Sequence, residues 1–439
     1  MSAAVPGTHG AEQRAPAATR RDERRAATIA ACIAQLAAAS SHEVSAAAER
    51  LFHHAHVSHA HAAENKDLVR ELGGIPALCA VLQSDAWPVR RHACSALSEL
   101  AYGSKLNCQA IVTTKGALHA LVALFQHDTL NIQELAALVV NNCAGFGDEA
   151  CVNSIVKSPG VLEALQHLAQ VGSCRAKCVT IGAMNCLSRW EQARDSLLRM
   201  RVVERVLLPV LREAPACPQD VDASSKVTRA REDRLAARRM RAFMSLVNLT
   251  GRCDYEHVHE RAALTSLVQV LDCTLQPGGG SWAGLRFSTY SVLYPLSRLA
   301  YEGGNVRAEL IAGGLVGLMV RYISGWTAGP ERTDADAGEL ALALTIIEHL
   351  ASDWGSHERL RQAGLVGELQ ELAKRMEGSS LGVRADALAQ RLFLAPLAVC
   401  MGQHPRLGSA SPIAHVDEYV MTLILGFCVL SADSQRVAQ

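Results

Sequence analysis

The densest group of side chains able to do chemistry in this chain is a run of histidines, His53, His54, His56, His59 and His61, with His42 upstream. Imidazole binds zinc and changes charge near neutral pH, and several of these residues stand three apart, so the run could share a metal or form a pH-sensitive surface. No cysteine or carboxylate cluster accompanies it, and the sequence gives no grounds for a metal. Cys174 and Cys178 lie one helical turn apart beside Arg175 and Lys177, a spacing open to thiol chemistry, although core packing is the commoner role of such small residues. Asp334-Ala-Asp336-Ala-Gly338 has no Glu at the closing place of a calcium loop. Gly278-Gly279-Gly280 lacks the preceding strand and the following Lys-Ser of a phosphate cradle. HExxH and GxSxG are absent. These residues outline no catalytic constellation, and the expectation is a protein that is not an enzyme and takes no cofactor.

The elements that would position any site follow from composition. Hydrophobic residues make up 49% of the chain but aromatics only 4%, so the interior must be built from Ala, Leu and Val, which suits close-packed helices. Lys plus Arg (43) equals Asp plus Glu (43), which argues against direct nucleic-acid binding. The 14 cysteines are scattered singly through apolar stretches, as at Cys94, Cys143 and Cys186, as in a reducing compartment, so a cytoplasmic or nuclear location is expected. The longest apolar run, Val420 to Leu430, is shorter than the roughly 20 residues of a spanning helix, so no membrane span is expected. The start is rich in arginine, but Glu12, Asp22 and Glu23 do not suit a mitochondrial leader.

One unit recurs: a short helix, a glycine turn, an amphipathic helix, a loop and a longer helix. Its clearest copies are NKDLVRELGGIPALCAVLQSDAWPVRRHACSALSELAYG from Asn65 and NCQAIVTTKGALHALVALFQHDTLNIQELAALVVNNCAG from Asn107, with a third over Glu149 to Trp190. The glycines Gly74, Gly116 and Gly160 stand roughly 42 and 44 residues apart, where one helix must end and the next begin at an angle. Pro76 then falls in the first turn of a helix, where its missing N–H costs nothing. Looser copies continue to Leu394, with Gly314 and Gly364 in the turn role and Pro/Gly/Asp/Ser-rich insertions over Ala214 to Glu232, Leu275 to Trp282 and Gly325 to Ala335. Val44 to Val57 reads as the third helix of an incomplete first unit. Residues 1–27 read as a disordered Ala/Arg-rich tail, 28–395 as the repeat array, and 396–439 as a linker with a terminal capping helix near Val416 to Leu430.

With the strings GGIPALCAVL, WPVRRHACSALSELA and NCQAIVTTKGALHALVALF in view, the sequence resembles the armadillo-repeat family of beta-catenin, plakophilins and importin-alpha. The resemblance implies an all-α, right-handed armadillo (ARM) α-solenoid of about seven repeats, whose third helices line a concave groove that holds an extended peptide or partner protein. Aligned on their shared endings, the third helices stack Glu99, Asn142, Asn185, Asn248, Arg298 and His349 in one column. In the family an asparagine here holds the main chain of a bound peptide, since a carboxamide both donates and accepts. One turn earlier, where importin-alpha-like repeats carry Trp, stand Ser95, Leu138, Ile181, Met244, Tyr294 and Thr345, a departure from that recognition of basic signals. Arg91, Glu134, Lys177 and Met240, with Arg241, lie two turns before the column and make a mixed, modestly basic lining. The expected function is a non-enzymatic scaffold or adaptor with a protein or extended peptide as partner. The alternatives are an importin-alpha-like transport adaptor, or a metal- or redox-dependent regulator using the histidine run or Cys174.

Overall fold

A computed structural model describes residues 17–38, 40–213, 226–253, 260–302, 304–329, 334–352 and 354–403. Among them the regular elements are helical, and a lone bridge between Trp282 and Leu285 is the one extended pairing. The chain divides into two compact units, Met1–Val202 and Val203–Gln439.

The first unit opens with α1 (Ala17–Gln35) and α2 (Ser41–Ala55). Three triplets follow: α3 (Ala62–Glu71), α4 (Gly74–Ala80) and α5 (Trp87–Ala101); α6 (Lys105–Thr113), α7 (Ala117–His127) and α8 (Leu130–Phe146); α9 (Glu149–Lys157), α10 (Val161–Val171) and α11 (Cys174–Leu187). α12 (Glu191–Arg199) comes last. Between the first and second helix of each triplet one residue takes the left-handed conformation that glycine alone adopts without cost: Gly73 at φ 76°, Gly116 at 79° and Gly160 at 81°. The first of these is Gly73, not Gly74. Gly74 is already helical and packs so closely that a Cβ there would come within 2.6 Å of Val69 and 3.0 Å of Ile33.

The third helices α2, α5, α8 and α11 pack in series. Their buried sides are small and aliphatic: Ala93, Cys94, Leu97, Leu100 and Ala101 in α5 match Ala136, Ala137, Val140, Cys143 and Ala144 in α8. That match sets Glu99 over Asn142, as the shared endings imply. Small side chains let helix axes approach closely, and hydrophobic burial then holds the stack. The cysteines belong to this interior. Burial pushes the Cys79 and Cys151 thiols up to about 12, while a hydrogen bond with Cys108, followed by burial, raises Cys143. They stay protonated, as apolar packing groups do.

The second unit contains α13 (Leu208–Arg212), α14 (Lys226–Thr250), α15 (Glu260–Thr274) and α16 (Thr289–Glu302). Two complete triplets follow: α17 (Gly304–Ala312), α18 (Leu315–Ala328) and α19 (Asp334–Leu350), then α20 (Trp354–Gln362), α21 (Leu365–Arg375) and α22 (Ser380–Gln403). Gly314 and Gly364 repeat the left-handed turn at φ 93° and 82°. One apolar cluster runs through the unit, from Phe243 and Val247 through Leu293, Leu296 and Ile323 to Leu344, Leu369 and Leu392.

Several boundaries differ from the sequence reading. Residues 17–27, read as part of a tail, belong to α1, because an Ala-rich segment with Ile29, Cys32 and Leu36 on one side buries that stripe. α22 continues past 395, through Pro396 to Gln403. Asp334 to Gly338 begins α19 and so forms no calcium loop. The rest of the tail (1–16), most of the first insertion (214–225) and the capping segment near Val416 to Leu430 lie outside the described residues.

Candidate protein-binding face of the third helices

Each third helix buries its aliphatic side and leaves a strip of mixed chemistry. On α5, Arg91 is exposed and Ser95 and Glu99 are partly exposed; on α8, Glu134, Leu138 and Asn141 are partly exposed; on α11, Lys177 is. Glu134 is already engaged, accepting from the Ser173 hydroxyl at 2.5 Å and pairing with Arg175 at 3.5 Å.

The asparagine column does not lie on this strip. Asn142 is 5% exposed, Asn185 4% and Asn248 0%, so the three carboxamides expected to grip a peptide face inward. Asn142 Nδ2 donates to the Ser98 carbonyl of α5 at 2.9 Å, and its Oδ1 accepts from Asn141 Nδ2 at 3.2 Å. In the second unit, Arg298 Nε of α16 donates to the Val247 carbonyl of α14 at 3.2 Å. Ser98 precedes Glu99, and Val247 precedes Asn248. In both units, therefore, a column side chain reaches the carbonyl just before the column position of the preceding third helix. Both carbonyls already accept a backbone N–H, Ser98 O from Tyr102 at 3.1 Å and Val247 O from Gly251 at 2.8 Å, so the side chains add a second bond that crosses the repeat boundary.

First helices add a parallel clasp that sequence reasoning missed. Asn107 of α6, fully buried, donates to Leu100 O at 3.0 Å and Lys66 O at 3.3 Å, and accepts from Arg70 at 3.1 Å. Arg307 of α17 donates to Ala300 O at 3.2 Å, again seven residues back. Asn65 of α3 donates to His54 O at 2.8 Å. The signal was present, since Asn65 and Asn107 open the two clearest repeat copies.

Beside them Lys66, 6% exposed, donates its Nζ to Tyr102 O at 2.6 Å and lies 5.4 Å over the Tyr102 ring. Burial lowers its pKa from the ordinary 10.5, against an opposing pull from Glu99. Between that lowered value and 10.5 the unfolded chain binds more protons than the folded one, so this group makes stability rise with pH there. Urea denaturation at several alkaline pH values should show that rise in the wild type and a flatter profile in Lys66→Met. Equal slopes would refute the assignment.

The remaining candidates sit apart. Arg241 of α14 is partly exposed, 5.7 Å over the Phe287 ring. His349 of α19 is partly exposed against Tyr301 at 5.2 Å, and burial, then Arg307, lower its pKa although Glu348 opposes them. The histidine run is engaged locally: His56 with Ser58 at 2.8 Å, His59 with Asn65 at 3.3 Å and His61 with Glu64 at 3.1 Å. Among the described residues no three of His, Cys, Asp and Glu gather to hold a metal. Cys174 is exposed at the start of α11 and Cys178 is buried. Among the described residues no single helix is long and apolar enough to cross a membrane.

Comparison with known proteins matches residues 62–102 to the armadillo/beta-catenin-like repeat. The adenomatous polyposis coli proteins of Rattus norvegicus, Homo sapiens and Mus musculus are 29% identical over 119 residues, which is 24% of this chain and 4% of theirs. Among solved structures, an engineered protein covers 88% of this chain, with 85% of its own length matched, at 18% identity and a TM-score of 0.48. A designed armadillo repeat protein in complex with the peptide (KR)4 covers 73% of this chain, with 98% of its own length matched, at 14% identity and a TM-score of 0.36. The family's repeat thus coincides with the triplet α3–α5, and the same helical triplet recurs after it in α6–α8 and α9–α11, the architecture of an armadillo-like repeat array.

Proposed function

We propose that the chain is a non-enzymatic scaffold that holds a protein segment against the exposed strips of its third helices. The observation that carries this reading is the division of labour on α5 and α8: one side supplies the aliphatic core, the other leaves Arg91 exposed and Ser95, Glu99, Leu138 and Asn141 partly exposed. A face with charges, an amide and an apolar side chain can select a polypeptide by charge and anchor it by burial. The inward asparagines move the contact from the column to the residues around it. Glu99, Arg298, His349, Arg91, Lys177 and Arg241 remain candidates, and Asn141 replaces Asn142.

Arg91→Glu combined with Lys177→Glu inverts the basic charges of the strip on α5 and α11 at positions outside the core. Partner recovery by affinity purification from the source cells should fall at least tenfold while the melting temperature moves little. Undiminished recovery of the same partners would reject this face. The importin-alpha-like reading has no separate observation in its favour.

A further inference from the structure

The histidine run is built into the connection between α2 and α3, and two of its rings offer no room for a second proton. His59 Nδ1 accepts the His61 backbone N–H and Asn65 Nδ2, each at 3.3 Å. His54 Nδ1 is buried without a hydrogen-bond partner. Asn65, fully buried in the first turn of α3, cannot turn its amide round to accept from His59, because the same Nδ2 donates to His54 O of α2 at 2.8 Å. A proton on His54 Nδ1 would therefore enter a buried spot with no acceptor, and one on His59 Nδ1 would face two N–H donors. His59 is exposed and can meet a proton by swinging into solvent, which leaves Asn65 and the His61 amide without their acceptor. His56 differs, since its Nδ1 lies 2.8 Å from the Ser58 hydroxyl, a group able to accept in turn.

The charged groups facing the two rings come from four helices. Arg50 and His53 stand on α2 itself, and Arg25 of α1 reaches the joint by pairing with Glu64 of α3 at 2.8 Å. His92 of α5 is held to Ser45 of α2 at 3.0 Å, and Lys66 of α3 turns to Tyr102 O. Glu64 also lies 3.1 Å from His61; acid would strengthen that bond, but the pair is exposed and such pairs contribute little. Burial, followed by His59, His53 and Arg50, lowers the His54 pKa from the ordinary 6.5. Below 6.5 the unfolded chain therefore binds more protons than the folded one, and the stability this ring contributes at neutral pH is lost as pH falls through its lower folded value. We infer that the α2–α3 connection is an acid-sensitive joint, closed through Asn65 while His54 and His59 are neutral and opened over residues 56–65 when both are charged. The joint goes beyond the scaffold reading and does not rest on it.

Ser58, His59, His61, Ala62 and Asn65 all place their backbone N–H in hydrogen bonds inside the joint, so hydrogen exchange of the full chain reads it directly. Expressed as protection factors, which remove the intrinsic pH dependence, these amides should lose about fivefold of their protection between about pH 7.5 and pH 5.5, while those of α6–α8 keep theirs. His59→Asn supplies an oxygen that accepts but takes no proton, and His54→Phe keeps a ring that cannot charge. The double variant should hold its protection at the lower pH, and His119→Asn, at an exposed site on α7, should respond as the wild type does. An unchanged wild type, a loss shared equally by α6–α8, or an equal loss in the folded double variant would overturn the inference. If the double variant does not fold, His59→Asn alone must reduce the loss, and a full wild-type loss there overturns the inference equally.

Discussion

Arg90→Met should destabilise the first unit by about 1.5–3 kcal/mol, the range for losing hydrogen bonds to a charged group at a part-buried site. Arg90 joins adjacent repeats at the start of α5: its Nε donates to Asp128 at 2.5 Å and its Nη1 to Ser84 O at 2.7 Å and Asp85 O at 2.8 Å. The Asp128 side chain is only 6% exposed. Burial alone would raise its pKa, but the Arg90 bond and the Thr129 N–H at 2.7 Å outweigh burial and hold it below the ordinary 3.8. In the wild type this group therefore contributes stability above 3.8 that is lost as pH falls through the lower folded value. Without Arg90 the carboxyl loses two of the interactions that lower its pKa, so the acid dependence of stability should flatten. Urea midpoints followed from about pH 5 down through the ordinary 3.8 would check the reduced slope. A variant with unchanged stability and wild-type acid dependence would contradict the assignment.

The other large effect is expected at Asn107. Leucine has the same branched heavy-atom skeleton, yet Asn107→Leu removes donors to Leu100 O and Lys66 O and leaves Arg70 without its amide acceptor, all at a fully buried position. The expected loss is about 2–4 kcal/mol, since stranded buried polar groups cost more than the bonds themselves contribute. Asn142→Leu removes one interhelical bond, to Ser98 O, and should cost less. Chemical denaturation of the two variants gives the ranking, and a reversed order would remove Asn107 as the principal clasp. Both substitutions also separate structure from binding, because neither residue lies on the exposed strip.

The repeat itself was legible because its signals are local. A glycine that must turn left-handed, a proline tolerated in a first helical turn and an aliphatic stripe every three or four residues mark the triplets without tertiary knowledge. Even there the choice between Gly73 and Gly74 was not local, since Gly74 is fixed by its approach to Val69 and to Ile33 of α1. The column alignment placed Asn142 opposite Glu99, but spacing does not say whether a side chain at a helix border turns outward or back to a neighbouring carbonyl. Asn142 turns back because Ser98 O lies 2.9 Å away on α5, and Arg298 does likewise towards Val247 O. The helical start at Ala17 was obscured by composition, since alanine and arginine serve an exposed helix as readily as an irregular tail.

The central claim, that a polypeptide lies on the exposed strips of the third helices, is tested most directly by photo-crosslinking. A photoreactive amino acid placed at Ser95 of α5 or Leu138 of α8, both partly exposed, should crosslink to a discrete partner polypeptide in the source cells, while the same group at the exposed Glu163 of α10 should not. Crosslinks from Glu163 with silence at Ser95 and Leu138 would place the partner on the second helices and contradict the claim.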